Sequence, residues 1–253
     1  TVMETDKENL NPFKDKNTVK VQICEPSAGM IDCQIYDNRI DLHYEMARLE
    51  ARSNFKFFTR NTGRMGINAA REAMGTFAVQ NGMDYLLMID DDQTVPPDLF
   101  ERLYKTMEAN KADIVSPMVT QRISPFKPVM WKHSYCEVDG NKAINCEFIT
   151  DYEPDEVVKA DAVGFGVVLI RVDLLKKVQQ PWFFSNNSFG EDIWFCMKAK
   201  GKAGAKVLFD TSIKCGHMRP PEFATELDYV KSQGWEQKFS KLYGHLQKDL
   251  VAA

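Results

Sequence analysis

The feature that most limits the possible folds is an apolar run that ends on three carboxylates. Residues 85–89 read YLLMI, and Asp90, Asp91 and Asp92 follow directly, ahead of a Pro-Pro pair. Five consecutive apolar residues are typical of a strand that is covered on both faces. Because unpaired charges are not buried in a core, the strand must end at the acids. The sequence therefore predicts an acidic edge on a buried sheet.

Similar apolar runs alternate with helical patterns along the chain. Strands are predicted at 19–24, 55–58, 85–89, 113–119, 163–170 and 206–209, and helices at 40–51, 68–81, 96–107, 173–178 and 192–200. We expect Ile40 on the buried face of the first helix, Asn68 as the N-cap of the second, and Pro96 and Pro97 in the first turn of the third. Strands and helices that alternate at this length indicate an α/β domain of three layers with a mainly parallel sheet.

Composition excludes several classes of protein. The chain has 253 residues, 44% of them hydrophobic and 27% charged, and contains no apolar stretch long enough to span a membrane. Its six cysteines include no CxxC pair, which favours reduced thiols and a cytoplasmic location. The net charge of −4 provides no general attraction for nucleic acid or for an anionic membrane.

The acidic triplet suggests a metal site. Adjacent carboxylates repel one another, and a divalent cation relieves that repulsion. The side chains of Asp90 and Asp92 can project to the same side, and hard oxygen ligands suit Mg²⁺ or Mn²⁺. The alternative is a solvated turn whose aspartates only cap the following helix.

Two later stretches carry further candidate residues. Glu191 and Asp192 stand at the start of a predicted helix, where the helix dipole favours carboxylates even without any function. His217 follows a glycine in a predicted loop, and such a histidine can be a metal ligand or simply structural.

Taken together, these stretches resemble a known family. The IDDD edge at 89–92, GFGVVLIR at 164–171, the segment at 190–210 that begins GEDIWF, and GH at 216–217 occur in the order seen in glycosyltransferases of the A fold. NAAREA at 68–73 and PSAGM at 26–30 also fit. The chain is most similar to family-2-like enzymes, including phage-encoded relatives, over about residues 19 to 218. The resemblance implies a Rossmann-like glycosyltransferase-A fold with a small antiparallel or loop-rich acceptor side.

The residue pattern at both ends of the chain and the resemblance between them divide the chain into three parts. Residues 1–16 would form a flexible N-terminal tail, and residues 17–220 a single catalytic domain. Within that domain, about 17–120 would bind the nucleotide-sugar, and about 121–220, including antiparallel hairpins or lid-like loops, would bind the acceptor. Residues 221–253 would form a helical extension, with two helices that meet near Gly234.

Roles for the metal-site residues follow from the resemblance. Asp90 and Asp92 match the outer acids of the family's DxD motif, and Asp91 is the middle residue on the donor side. Asp92 would bind the metal, Mn²⁺ or Mg²⁺, and Asp90 would lie near the ribose or the metal-bound phosphate. With three acids in a row, either outer acid or both can be metal ligands, and the pair that binds the metal is left open. His217 would complete the metal shell.

Roles for five other residues follow in the same way. Glu191 and Asp192 would lie near the acceptor, where Asp192, or alternatively Glu191, would act as the catalytic base if the enzyme inverts. Arg71 would order the nucleotide side of the site. Pro26 and Ser27 would lie where the first loop meets the nucleotide base.

The implied function is metal-dependent transfer of a sugar, in the manner of a hexosyltransferase, from a nucleotide-sugar to an acceptor hydroxyl. The expected donor is a UDP-sugar, and the acceptor is open between a modified DNA base and a glycan. A cytoplasmic enzyme is expected, in the host cytoplasm if a phage encodes it. The alternatives are a nucleotidyltransferase that acts on a sugar phosphate and a non-catalytic carbohydrate-binding protein. The first is disfavoured because CEPSAGM at 24–30 is not a Gly-rich phosphate loop with Arg or Lys.

No motif is recognisable in residues 121–161, where the sugar and the acceptor would be recognised. Candidates there are Arg122, Lys127, Trp131 and His133. Each tryptophan, including Trp182 and Trp194, can either stack on a sugar or fill the core, and for Trp131 we favour the core.

Overall fold

The computed structural model describes residues 18–27, 31–138, 141–186, 188–219, 222–235 and 238. In chain order the elements are β1 (Val19–Glu25), α1 (Cys33–Arg52), β2 (Phe55–Asn61), α2 (Ile67–Gln80), β3 (Tyr85–Ile89), β4 (Gln93–Thr94), α3 (Leu99–Asn110), β5 (Ile114–Met118), β6 (Met130–Val138), β7 (Asn141–Phe148), β8 (Val157–Ala160), β9 (Ala162–Val163), β10 (Val167–Arg171), α4 (Val172–Lys177), α5 (Glu191–Ala203), β11 (Val207–Lys214), β12 (Gly216–Arg219), β13 (Glu222–Ala224) and α6 (Glu226–Gln233).

The central sheet has seven strands in the order β2-β1-β3-β10-β5-β11-β8. β1 is parallel to β2 and β3, and β11 is parallel to β5, whereas β10 runs antiparallel to both of its neighbours and β8 antiparallel to β11. Five strands therefore share one direction. The predicted α/β fold with a mainly parallel sheet is confirmed.

Helices cover both faces of this sheet. α1 and α3 pack on one face with side chains such as Leu42 and Phe100, and α2, α4 and α5 pack on the other with side chains such as Met74 and Phe195. In β3, Leu86 and Met88 face the second layer, while Leu87 and Ile89 face the first. Because successive side chains point to opposite faces, a strand between two helical layers must be apolar at every position. This is why YLLMI is uninterrupted.

Two small antiparallel sheets lie beside the central one. β6 and β7 form a hairpin that β9 extends, which confirms the antiparallel structure expected for 121–161. β12 pairs with β4 and β13. Since β4 directly follows the acidic triplet, this pairing brings residues near position 217 to the end of β3.

The first helix is longer than predicted, and one of its residues faces the other way. α1 begins at Cys33, after the N-cap Asp32, whose side chain accepts a hydrogen bond from the Gln34 amide. Ile40 was predicted to be buried, but 51% of its surface is exposed. Arg39 occupies the buried stripe instead and is only 4% exposed. A buried arginine interrupts the apolar periodicity, so the sequence pattern failed in the first turns.

The start of the second helix also differs from the prediction. The N-cap of α2 is Gly66, and Asn68 lies inside the helix. The Asn68 side-chain amide donates to the Ser185 hydroxyl at 2.5 Å, so it forms a tertiary contact in place of a cap.

Two further boundaries were wrong. α3 begins at Leu99, so Pro96 and Pro97 precede the helix and are not in its first turn. The strand predicted over 163–170 is divided into β9 and β10 by Gly164-Phe165-Gly166. A Cβ on residue 164 would lie 2.7 Å from Val129 Cγ2, so this close approach requires glycine.

The predicted N-terminal tail, residues 1–16, lies outside the described residues. Of the predicted C-terminal extension, the structure describes α6, which ends at Gln233 and is capped by Gly234 in the left-handed region with φ 67°. The second helix expected there lies outside the described part of the chain. Among the described residues, no helix is both long enough and apolar enough to cross a membrane.

Candidate functional site

The backbone at the acidic edge is fixed by the neighbouring elements. The Asp90 amide donates to the Gly166 carbonyl at 2.8 Å, and Arg39 Nη2 donates to the Asp90 carbonyl at 2.8 Å. Arg39 Nε also pairs with Glu25 at the end of β1, at 3.0 Å. The buried arginine that disrupts the helical pattern of α1 thus ties the ends of β1 and β3 together.

Arg71 is a buried cation that joins three elements. Only 2% of its surface is exposed. Its Nη2 contacts both carboxylate oxygens of Asp90, at 2.8 and 2.9 Å, and donates to the Phe165 carbonyl at 3.1 Å. Its Nη1 contacts Glu191 at the start of α5. Arg71 therefore links the DxD side of the predicted site to its acceptor side.

The charges around Arg71 shift one another's ionisation. Burial raises the pKa of Asp90 to about 6, and the nearby Asp92 and Glu191 add to the shift, although Arg71 opposes it. Burial disfavours the charge on Arg71, but Asp90 and Glu191 outweigh it and raise the pKa of the guanidinium. Both oxygens of Asp90 are engaged by Arg71, and its predicted role as a metal ligand stays a prediction.

Asp92 faces His217, which lies 125 positions later in the chain. His217 Nε2 is 3.2 Å from Asp92 Oδ2, and His217 Nδ1 is 2.7 Å from the Thr120 carbonyl. A carbonyl can only accept, so Nδ1 carries the proton that it donates. Nε2 is then the ring nitrogen directed at Asp92. Metal-binding histidines commonly donate their other ring N–H to a backbone carbonyl in this way, which fixes the orientation of the ring.

The donor set at Asp92 suits a hard or borderline divalent ion. Burial opposes ionisation of Asp92, but His217 and Arg122 outweigh it and hold its pKa below the usual value, so the carboxylate is charged. Carboxylate oxygen and imidazole nitrogen are ligands that Mn²⁺ accepts. Within the described residues, no three His, Cys, Asp or Glu side chains converge on one point that could hold a metal ion. The protein would supply a partial shell here.

Glu191 and Asp192 begin α5, directly after Gly190. Asp192 Oδ1 accepts a hydrogen bond from the Ile193 amide at 2.7 Å. Burial and the adjacent Glu191 raise the pKa of Asp192 to about 6. A carboxylate in such an environment has the basicity expected of a general base.

Pro26 and Ser27 line a hollow of about 250 Å³ together with Met65, Ile67 and the acidic triplet. The structure therefore brings the residues predicted for the base of the nucleotide to the same hollow as those predicted for its phosphates. With Arg71 bound to Asp90 and His217 beside Asp92, all the residues predicted by resemblance lie in one region.

A larger hollow of about 750 Å³, which the sequence did not predict, adjoins Ser27 and Asp91. Tyr36, Ile40 and Tyr44 line it from α1 and are 56%, 51% and 67% exposed. Their spacing of four residues places them on one face of the helix. The signal in the sequence for this hollow was a second apolar stripe along α1, on the face opposite its buried stripe.

The candidates from 121–161 have different surroundings. Trp131, 9% exposed, belongs to the core as favoured, where it contacts Phe148. Lys127 Nζ lies 5.1 Å from the centre of the same Phe148 ring. His133 lines a separate hollow of about 330 Å³ with Lys200. Arg122 alone of these candidates reaches the acidic edge, where its Nη1 contacts Asp92.

The other two tryptophans differ from each other. Trp182 is 5% exposed and belongs to the core. Trp194 is only partly buried and makes an edge contact with Phe184, with ring centres 5.3 Å apart.

A protein family model matches this chain over more than half of its length. The family model described as "Glycosyl transferase family group 2" matches residues 85–246. The chain belongs to this family. The matched region contains the acidic triplet, Glu191, Asp192 and His217, whereas Pro26, Ser27 and Arg71 lie ahead of it. Family membership supports glycosyl transfer as the activity of this chain, with a nucleotide-sugar donor and an acceptor.

Structural comparison supports the same fold. This chain is similar to the crystal structure of A197 from STIV, with a TM-score of 0.52 and 16% sequence identity. The match covers 79% of this chain and 86% of A197. At that identity the likeness concerns the fold alone. No curated protein sequence matches the chain.

Proposed function

We propose that this protein transfers a sugar from a UDP-sugar to an acceptor hydroxyl and uses a divalent cation, Mn²⁺ or Mg²⁺. The convergence of Asp92 and His217 at 3.2 Å, from positions far apart in sequence, is the main support. The pair stands at the edge of the hollow that Pro26 and Ser27 line. These features fit the donor side of the reaction that the family performs.

In this proposal Asp92 and His217 hold the cation. Two protein ligands leave coordination positions for the diphosphate oxygens of the donor and for water. A cation bound there would neutralise the charge that develops on the departing diphosphate. Asp90 would lie beside the donor with its own carboxylate held in a fixed orientation by Arg71, which contacts both of its oxygens.

Asp192 is the proposed base. It would accept the proton of the acceptor hydroxyl as that oxygen attacks the sugar. Glu191 is engaged by Arg71, whereas Asp192 contacts the Ile193 amide and has its pKa raised to about 6. Asp192 must be ionised to act, so we expect kcat/KM to rise as the pH passes about 6.

For the nucleoside of the donor we propose the hollow along α1. Its exposed tyrosines, Tyr36 and Tyr44, offer ring faces to a base, and it adjoins Ser27 and Asp91. Competition among UDP, GDP, CDP and dTDP for the Mn²⁺-loaded protein tests the choice of uridine, and weaker binding of UDP than of another nucleotide would contradict it.

For the acceptor we propose a glycan hydroxyl. The exposed Phe184, which precedes α5, contacts Trp194 of α5, the helix that begins with Glu191 and Asp192. Aromatic rings of this kind suit the apolar faces of sugars, and the net charge of −4 offers no help to DNA. We place the reaction in the cytoplasm, because the five cysteines whose side chains the structure describes are free thiols, consistent with a reducing compartment.

Binding of UDP to the Asp92→Asn variant tests the donor site. We expect calorimetry to show Mn²⁺-dependent binding of UDP to the wild-type protein and its loss in Asp92→Asn. Asp98→Asn, which changes an exposed aspartate ahead of α3, is the matched control and should bind like the wild type. Unchanged affinity in Asp92→Asn would refute the proposed metal site.

Turnover in the Asp192→Asn variant tests the base. We expect it to bind UDP with Mn²⁺ as the wild type does and to lose transfer. Screening UDP-sugars by UDP release, with glycans and modified DNA as acceptors, provides the assay. Normal turnover in Asp192→Asn would place the base elsewhere, and transfer to DNA but not to glycans would overturn the proposed acceptor.

A further inference from the structure

Arg122 contacts the same carboxylate oxygen that faces His217. Its Nη1 lies 3.2 Å from Asp92 Oδ2, and His217 Nε2 lies 3.2 Å from that atom. The Arg122 side chain is 58% exposed, so it reaches Asp92 from solvent. A permanent positive charge thus occupies the position where a divalent ion would bind Asp92.

The loop that carries Arg122, residues 121–127, is fixed at its base. Thr120 bridges to Pro128, and the Gln121 amide donates to the Lys127 carbonyl at 2.9 Å. Thr120 also holds His217 through its carbonyl. The loop and the histidine are therefore positioned together.

The far side of the 121–127 loop rests on the C-terminal elements. The Arg219 guanidinium lies 4.8 Å from the centre of the Phe126 ring, and the Ser232 hydroxyl of α6 donates to the Pro125 carbonyl at 2.9 Å. The tip is open to solvent, with Ile123 72% exposed. Only the Arg122 side chain needs to rotate for its charge to leave Asp92.

A guanidinium and a divalent cation compete for one carboxylate. Arginine is always charged and cannot coordinate a metal, so like charges repel when both approach Asp92. The diphosphate of a metal-bound donor brings new anionic oxygens to the same place. Guanidinium groups bind such oxygens by two parallel hydrogen bonds.

We propose that Arg122 neutralises Asp92 while no cation is bound, yields this carboxylate to the entering cation, and then binds the diphosphate of the donor. This inference rests on the proposed function and adds a diphosphate-binding residue to it. Arg122 would retain bound UDP but weaken binding of the cation alone. It thereby couples the cation to the donor, so that the two bind best together.

Two affinities measured on Arg122→Gln test this inference. Without nucleotide, we expect Mn²⁺, followed by electron paramagnetic resonance, to bind about two- to fivefold more tightly than to the wild type, because the competing ion pair is gone. With saturating Mn²⁺, we expect calorimetry to show UDP binding weakened by about tenfold or more. Uridine, which lacks phosphates, should bind unchanged.

Lys127→Gln is the matched control. It removes the same charge from the same loop, but Lys127 lies against Phe148, so Mn²⁺ and UDP affinities should stay within about twofold of wild type. Circular dichroism checks that both variants fold. If Mn²⁺ binds the wild type and Arg122→Gln alike, or UDP affinity is unchanged, the inference is wrong while the proposed function stands. Failure of the wild type to bind Mn²⁺ would overturn both.

Discussion

Arg71 compensates two carboxylates inside the fold. Asp90 and Glu191 both contact it, and its side chain is 3% exposed. Removing one member of a buried charge network leaves the others uncompensated and costs about 3 to 5 kcal/mol. We expect Arg71→Met to lower the free energy of unfolding in urea by about this amount at pH 7.

Arg48→Met provides the comparison for that loss. Arg48 pairs with Glu45 on the surface of α1 and is 61% exposed. Exposed pairs contribute about 0 to 1 kcal/mol, so its stability should barely change. Equal losses in the two variants would show that Arg71 does not balance the buried acids.

Asp192 should make the protein less stable as the pH rises. Its pKa is raised to about 6 in the folded protein, whereas the unfolded chain releases the same proton near pH 4. The folded state therefore binds more protons between these values, and stability is lost as the pH rises through the folded pKa. We expect Asp192→Asn to match the wild type near pH 4 and to exceed its stability by up to about 3 kcal/mol at pH 7.

Urea unfolding at several pH values measures this difference. Asp41→Asn, which changes an exposed aspartate of α1, serves as the control and should follow the wild type at every pH. A constant difference between Asp192→Asn and the wild type from pH 4 to 7 would show that Asp192 is not the group that titrates.

At the scale of elements, the start of α5 positions Asp192 through a glycine. A Cβ on residue 190 would lie 2.8 Å from Asp192 Oδ1, so the carboxylate would have to move. We expect Gly190→Ala to leave the protein folded but to reduce transfer by about tenfold or more, because a catalytic group displaced by about 1 Å loses much of its effect.

Gly201→Ala, in the same helix, is the control for that substitution. A Cβ there would have no heavy atom within 4 Å. Alanine in a helix interior stabilises by about 0.5 to 1 kcal/mol relative to glycine, so Gly201→Ala should raise stability and keep activity. If Gly190→Ala is fully active, the position of the Asp192 carboxylate does not limit the reaction.

The elements were predictable where the apolar pattern was simple. β3 was predicted at its observed bounds, since a strand between two helical layers has no polar position. The start of α1 was missed because the buried Arg39 and the exposed Ile40 reverse the expected polarity. The periodicity of apolar residues predicts the average exposure of a helix face. It fails at single residues such as Arg39, whose burial comes from its contacts at the acidic edge.

The site was predictable in its residue types but not in its contacts. The resemblance indicated Asp92 and His217, whereas their meeting depends on the pairing of β4 with β12. That pairing joins positions distant in sequence, and two- to four-residue strands carry little signal of their own. Arg71 contacts both Asp90 and Glu191 because α2 and α5 pack on the same face of the sheet. The spacing of residues along the sequence does not reveal this packing.

On the scale of the whole molecule, the site gathers residues from both ends of the described chain. Ser27 follows β1, Asp92 follows β3, Asp192 begins α5 and His217 lies in β12. A ligand that contacts all of them holds together elements that separate on unfolding. Binding energy at this edge therefore contributes to the stability of the entire domain.

The resulting prediction concerns thermal unfolding with ligands. A ligand at about 100 times its Kd adds about 2.7 kcal/mol to the stability of the folded state, which raises Tm by roughly 5 to 10 °C for a chain of this length. We expect this rise with Mn²⁺ and UDP together and a smaller rise with either alone, and EDTA should reduce the joint rise to that of UDP alone. His217→Gln should lose the joint effect and keep its ligand-free Tm to within a few degrees, because the imidazole is partly exposed at the edge of the fold. An equal rise from UDP with and without Mn²⁺ would mean that the nucleotide binds without a cation at Asp92 and His217.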